Sequence, residues 1–142
     1  RSSDLKEQLH KIVKYSFLFI AILSVVSFTL ARVLSSGLVE IFSGVGSELY
    51  YITLQGFNLF SITFLICGAN IFTSGMFTAF SNGKVSAIVS VLRTLVFFLI
   101  AIAILPRFFN SDGVWLVVPC AEILILIVSI IYIYRYKKVY GY

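Results

Sequence analysis

Apolar residues fill four long runs of this chain, and polar residues collect in the short stretches around them. The first stretch is amphipathic. Leu5, Leu9, Ile12 and Val13 fall on one helical face, with Lys6, His10 and Lys14 elsewhere. Asp4 followed by Glu7 has the spacing of a capping box, so a helix is predicted to start there. This lead-in over 4–13 suits a membrane surface and continues into the uncharged Tyr15–Ala31, giving a span at about 14–38. Arg32 stands near the far end, where its stem reaches the interface. The next stretch, 40–48, holds two acids and two glycines and reads as a turn.

From Leu49 to Gly83 there is no charge at all, and as one helix that run would reach roughly 50 Å against a hydrocarbon core of about 30 Å. A second span is expected at about 50–81, tilted, projecting, or interfacial at its Tyr- and Gln-marked start. Gly68 and Asn70 lie at its centre. Gly75, Ala79 and Gly83 form a small-residue stripe that predicts close approach of a neighbouring helix. A turn at 81–84 leads to a third span at about 85–106, whose first half carries Ser86, Ser90, Arg93 and Thr94 as one polar stripe. Pro106 is expected to end it, with RFFNSDG as the loop. The fourth span is predicted at about 114–135. Pro119 there frees the Trp115 carbonyl and favours a kink, and Trp115, Glu122 and Ser129 share a face.

Composition agrees with this pattern. The chain is 60% hydrophobic and 12% charged, with a mean hydropathy of +1.03, which belongs to the membrane class. The fold class is therefore all-α, a polytopic membrane protein of four transmembrane helices forming one unit over 1–142. The net charge of +5 is not a nucleic-acid stripe. Lys and Arg gather at both chain ends and at Lys84, whereas 40–48 has none and the third loop only Arg107, so both termini are expected on the cytoplasmic side of the inner membrane. Cys67 and Cys120 lie inside apolar runs without metal-ligand spacing, and His10 stands alone. The chain opens on Arg1, and a piece of a longer protein is expected.

No nucleophile–base pair, metal cluster or phosphate-cradling loop is present, so no catalytic, metal or cofactor residues are assigned and an enzyme is not expected. The chemistry rests on Arg93 and Glu122, with Asn70 as a third polar group in hydrocarbon. A charge at bilayer depth costs about 2.5–3.5 kcal/mol on insertion scales. Arg93 lies roughly 13 Å into its helix from one side and Glu122 roughly 12 Å from the other, which brings the two to similar depth. A packing ion pair and a polar cavity wall answering to protons, cations or substrate both fit.

The motifs Ser90-Val91-Leu92-Arg93, Leu105-Pro106, Gly113-Val114-Trp115, Pro119 and Ala121-Glu122, preceded by Ser74–Gly83, resemble the C-terminal part of multidrug and toxic compound extrusion (MATE) transporters. The likeness departs from the family pattern at Ile100 and at Ser81 and Asn82. It implies helices nine to twelve of a twelve-helix fold, most of the second six-helix lobe, with an N-terminal lobe of the same chain as partner. It further implies a secondary antiporter in the bilayer that exports cationic or amphipathic small molecules in exchange for sodium ions or protons. The family's best-known cation-site carboxylates do not carry over, because Leu49–Gly83 holds no acid. The alternatives are a lipid-linked saccharide flippase of the same superfamily, or a small four-span membrane protein that transports nothing.

Overall fold

The structure, a computed structural model, describes residues 2–44 and 46–142; Arg1, one of the N-terminal cations counted above, and Val45 of the first turn lie outside the described residues. The described residues are helical with no strand. The helices are α1 (Ser2–Ser43), α2 (Glu48–Phe60), α3 (Thr63–Ala79), α4 (Gly83–Val91) and α5 (Phe97–Tyr140), with a π turn at Leu92–Val96 between the last two. Three helical runs, Ser3–Ser43, Glu48–Ala79 and Gly83–Tyr140, are long and apolar enough to cross a membrane. The chain is compatible with a multi-pass membrane protein.

The last run is not straight. Arg93 and Glu122 are 29 residues apart yet bonded at 2.8 Å, where a straight helix would hold them about 43 Å apart. The reversal falls at Asn110, whose φ of 57° and ψ of −130° are the non-helical pair within α5, in a region Asn enters more readily than most side chains. Gly113 then lies so close to the Leu105 carbonyl that a Cβ would collide with it. The hairpin arms are 97–109 and 111–140.

Three expectations are corrected. The helix runs through Pro106 to Phe109 rather than ending there, and the turn is little more than Asn110; proline removes one donor, but the positive φ reverses the chain. The charge-free run is broken at Ser61–Ile62 into α2 and α3. Ser61 Oγ donates to the Asn58 carbonyl at 2.6 Å, and Ile62, Phe64 and Leu65 donate to carbonyls three residues back, so the helix tightens locally while Ser61 and Ile62 keep right-handed helical dihedrals. The capping box does not form: α1 is already helical at Ser2, so Asp4 is a first-turn acid and Glu7 pairs with Lys11 at 3.7 Å. Pro119 is fully buried within the second arm of α5.

Burial differs from that of a water-soluble bundle in leaving large apolar side chains exposed over most of the surface. Beside apolar residues such as Val39, Phe77, Val89, Val117 and Ile125, the interior holds eight polar ones, Ser24, Ser35, Ser61, Thr63, Asn70, Thr73, Glu122 and Ser129, while Leu18, Phe19, Ile22, Ile71, Leu99 and Ile131 face outward. Small and hydroxylated residues at helix contacts with apolar residues outside are what hydrocarbon surroundings select. One apolar cluster remains, where Phe77, with no exposure, anchors Met76, Val85, Val89, Ile125 and Tyr142. Phe77 also meets the rings of Tyr132, Tyr136 and Tyr140 edge-on.

Candidate functional site

The polar centre forms where α3, the π turn and the second arm of α5 meet. Glu122 is 4% exposed. Its Oε1 accepts from Arg93 Nε at 2.8 Å, and its Oε2 accepts from Asn70 Nδ2 at 2.7 Å. Asn70 Nδ2 also donates to the Glu122 carbonyl at 3.0 Å, and Asn70 Oδ1 accepts from Ser129 Oγ at 3.1 Å. Asn70 and Ser129 have no exposed surface. The amide thus uses both N–H groups and its oxygen, and each carboxylate oxygen has a charged or amide donor.

The two charges are placed differently. The Glu122 side chain is 5% exposed and that of Arg93 28%. Only Nε of Arg93 bonds within the chain; its two terminal nitrogens have no partner among the described residues. Access to the carboxylate at Oε1 therefore leads past the guanidinium. The π turn gives Arg93 this position. Phe97 N–H donates to the Leu92 carbonyl five residues back, so one extra residue is held in the turn and the side chains after Val91 are rotated relative to a continuous α-helix.

A hydroxyl ladder fixes α4 against α3. Ser74 Oγ bonds Ser86 Oγ at 3.1 Å and Ser90 Oγ at 2.8 Å, and Thr78 Oγ1 bonds Ser86 Oγ at 2.6 Å. Of the polar stripe predicted on the third span, Ser86 and Ser90 face Ser74 and Thr78, whereas Arg93 turns to Glu122 and Thr94 is exposed. The stripe of Gly75 and Ala79 does not bring helices together. Both residues are exposed, and a Cβ on Gly75 or Gly83 meets nothing within 4 Å. α3 is rotated so that Asn70, Thr73 and Phe77 point inward, which leaves that stripe beside a groove along α1. Gly68 does permit close approach: a Cβ there would lie 3.0 Å from Ile20 and 3.3 Å from Ser24.

A second polar group was not legible. Arg32 Nε donates to Ser61 Oγ at 2.9 Å, and its guanidinium lies 5.0 Å from the Phe28 ring centre, so it docks on the α2–α3 break. Gln55 Nε2 meets both carboxylate oxygens of Asp112 at 3.1 and 3.0 Å, tying α2 to the hairpin tip. Asn58 Oδ1 and Thr63 Oγ1 are buried without a partner among the described residues. Cys67 and Cys120 are free thiols, both partly buried. Among the described residues no three His, Cys, Asp or Glu side chains stand together as a metal site.

Comparison with protein families, curated proteins and solved structures returns no match.

Proposed function

We propose that this chain is the C-terminal part of a secondary antiporter of the MATE type, exporting drugs or other xenobiotics across the cytoplasmic membrane in exchange for sodium ions or protons. In this reading the four helical passes, 14–38, 50–81, 85–106 and 114–135, each cross the bilayer, and the termini face the cytoplasm. The observation that carries it is the buried Glu122 clamped by Arg93 and Asn70 inside an apolar bundle. A carboxylate at such depth is a functional-site hypothesis by default. A proton or sodium ion reaching Oε1 competes with the Arg93 guanidinium. Release of Arg93 alters the contact between the π turn and the last helix, which is the kind of bistable contact that alternating access requires.

The test is Glu122→Gln in the full-length protein. Drug efflux falls at least tenfold, about 1.4 kcal/mol on the transport barrier, while the protein reaches the membrane in normal amount. Unchanged efflux at normal abundance would reduce Glu122 to packing. The unpartnered edge of Arg93 favours one second reading, a flippase for lipid-linked saccharides, whose diphosphate suits a guanidinium. Loss of saccharide export with intact drug resistance in an Arg93→Gln strain would select it.

A further inference from the structure

Where α1 begins and α5 stops, a groove of about 230 Å³ opens between the two helices. Its walls are carbon: Val13 and Phe17 on α1, and Ile133 on α5. Its rim carries Lys14 and Lys137, with His10 beside them. Both lysines are exposed, and neither forms an ion pair among the described residues, where the nearby Glu7 is taken by Lys11. The groove has a fixed floor. Gly141 ends α5 in the left-handed conformation with φ 75°, and Tyr142 folds back so that its hydroxyl donates to the Ile133 carbonyl and its ring stacks on Phe80.

We infer that this groove binds an anionic phospholipid, with the phosphodiester between Lys14 and Lys137 and one acyl chain along Val13, Phe17 and Ile133. The inference rests on the membrane reading above and not on transport. Charge complementarity selects the occupant. The chain flanks this end with Lys6, Lys11, Lys84, Arg135 and Lys138, so the ammonium of a zwitterionic headgroup is repelled where its phosphodiester is attracted, whereas basic pockets between membrane helices suit headgroups of net negative charge. A free anion would engage the lysines alone, whereas a lipid engages the lysines and covers the apolar walls at once.

The test measures saturable thermal stabilisation of the purified chain in neutral detergent on adding phosphatidylglycerol, phosphatidylcholine or inorganic phosphate. Phosphatidylglycerol raises the Tm; the other two do not. Lys14→Gln/Lys137→Gln weakens the apparent Kd for phosphatidylglycerol roughly 30-fold. Lys84→Gln/Lys138→Gln, which removes the same charge outside the groove, leaves it nearly unchanged, and Lys14→Arg/Lys137→Arg restores it. Equal losses in both glutamine pairs would overturn the site in favour of a diffuse field, and equal stabilisation by inorganic phosphate would overturn the lipid. Alkaline carbonate extraction of membranes separates the two levels. Release of the chain sinks the membrane reading together with this site; retention without a phosphatidylglycerol effect sinks the site alone.

Discussion

Glu122 is held by two donors of different kinds, and removing each has a different cost. Arg93 neutralises the charge, whereas Asn70 only solvates it and joins it to Ser129. Breaking a buried pair from one side leaves an uncompensated charge and costs about 3–5 kcal/mol, while removing both charges together is often close to neutral. Because the Arg93 side chain is 28% exposed, Arg93→Met is expected at the lower end, about 3 kcal/mol. Arg93→Met/Glu122→Gln is expected to regain most of that in thermal unfolding in detergent. A double variant no better than Arg93→Met would show that the guanidinium stabilises through packing rather than charge. The three central residues were legible because an amide or a charge within a hydrocarbon run is conspicuous in one dimension, and because counting 1.5 Å per residue from each end brings 93 and 122 to one depth. Ser129 was placed on the face of Glu122 by its spacing of seven, but its partner was not legible. Its bond to Asn70 spans 59 residues and depends on how α3 is rotated, which local pattern does not encode.

At the level of helices, that rotation is what the glycines misreport. A small-residue stripe shows where close packing is sterically allowed, not which face is used. α3 turns Asn70 inward because its amide needs partners in hydrocarbon and finds them on Glu122 and Ser129, and this requirement overrides the glycine stripe. Close packing instead occurs at Gly56, where a Cβ would fall inside the Trp115 indole, and at Gly68. Gly56→Ala is therefore expected to destabilise by about 2 kcal/mol through overpacking, with a shifted Trp115 emission. Gly75→Ala, with open space around it, is expected to be neutral or to stabilise by up to about 1 kcal/mol from helix propensity. Denaturant unfolding of both variants in one detergent checks the pair, and equal losses would sink the assignment of faces. The π turn left no mark in the sequence, since Leu92–Val96 is ordinary helix-forming material and the extra residue is accommodated by tertiary contacts.

For the molecule as a whole, the puzzle was a charge-free run too long for one crossing. The tightened turn at Ser61–Ile62 divides that run into α2 and α3. Thr63–Ala79 has 17 residues, about 26 Å of helix, close to the hydrocarbon thickness. If α3 is the part within that core, α2 projects beyond it, and the groups bonded there, Arg32 with Ser61 and Gln55 with Asp112, have polar surroundings. The hairpin at Asn110 works the same way, since its tip carries Arg107 and Asp112 and both arms return toward the lysine-rich end. If each pass crosses the bilayer, single cysteines in a background without Cys67 and Cys120 report two groups. Lys6→Cys, Lys84→Cys and Lys138→Cys react with an impermeant maleimide from one side of the membrane, and Glu48→Cys and Ser111→Cys from the other. Gln55→Cys is expected to react with the second group, because it stands above the break, while Asn70→Cys stays unreactive in the closed bundle. Labelling of Lys84→Cys and Ser111→Cys from the same side would mean that the α4–α5 hairpin enters the membrane without crossing it. Glu122 would then lie at an aqueous boundary rather than at bilayer depth, and the case for a transport role would lose its footing.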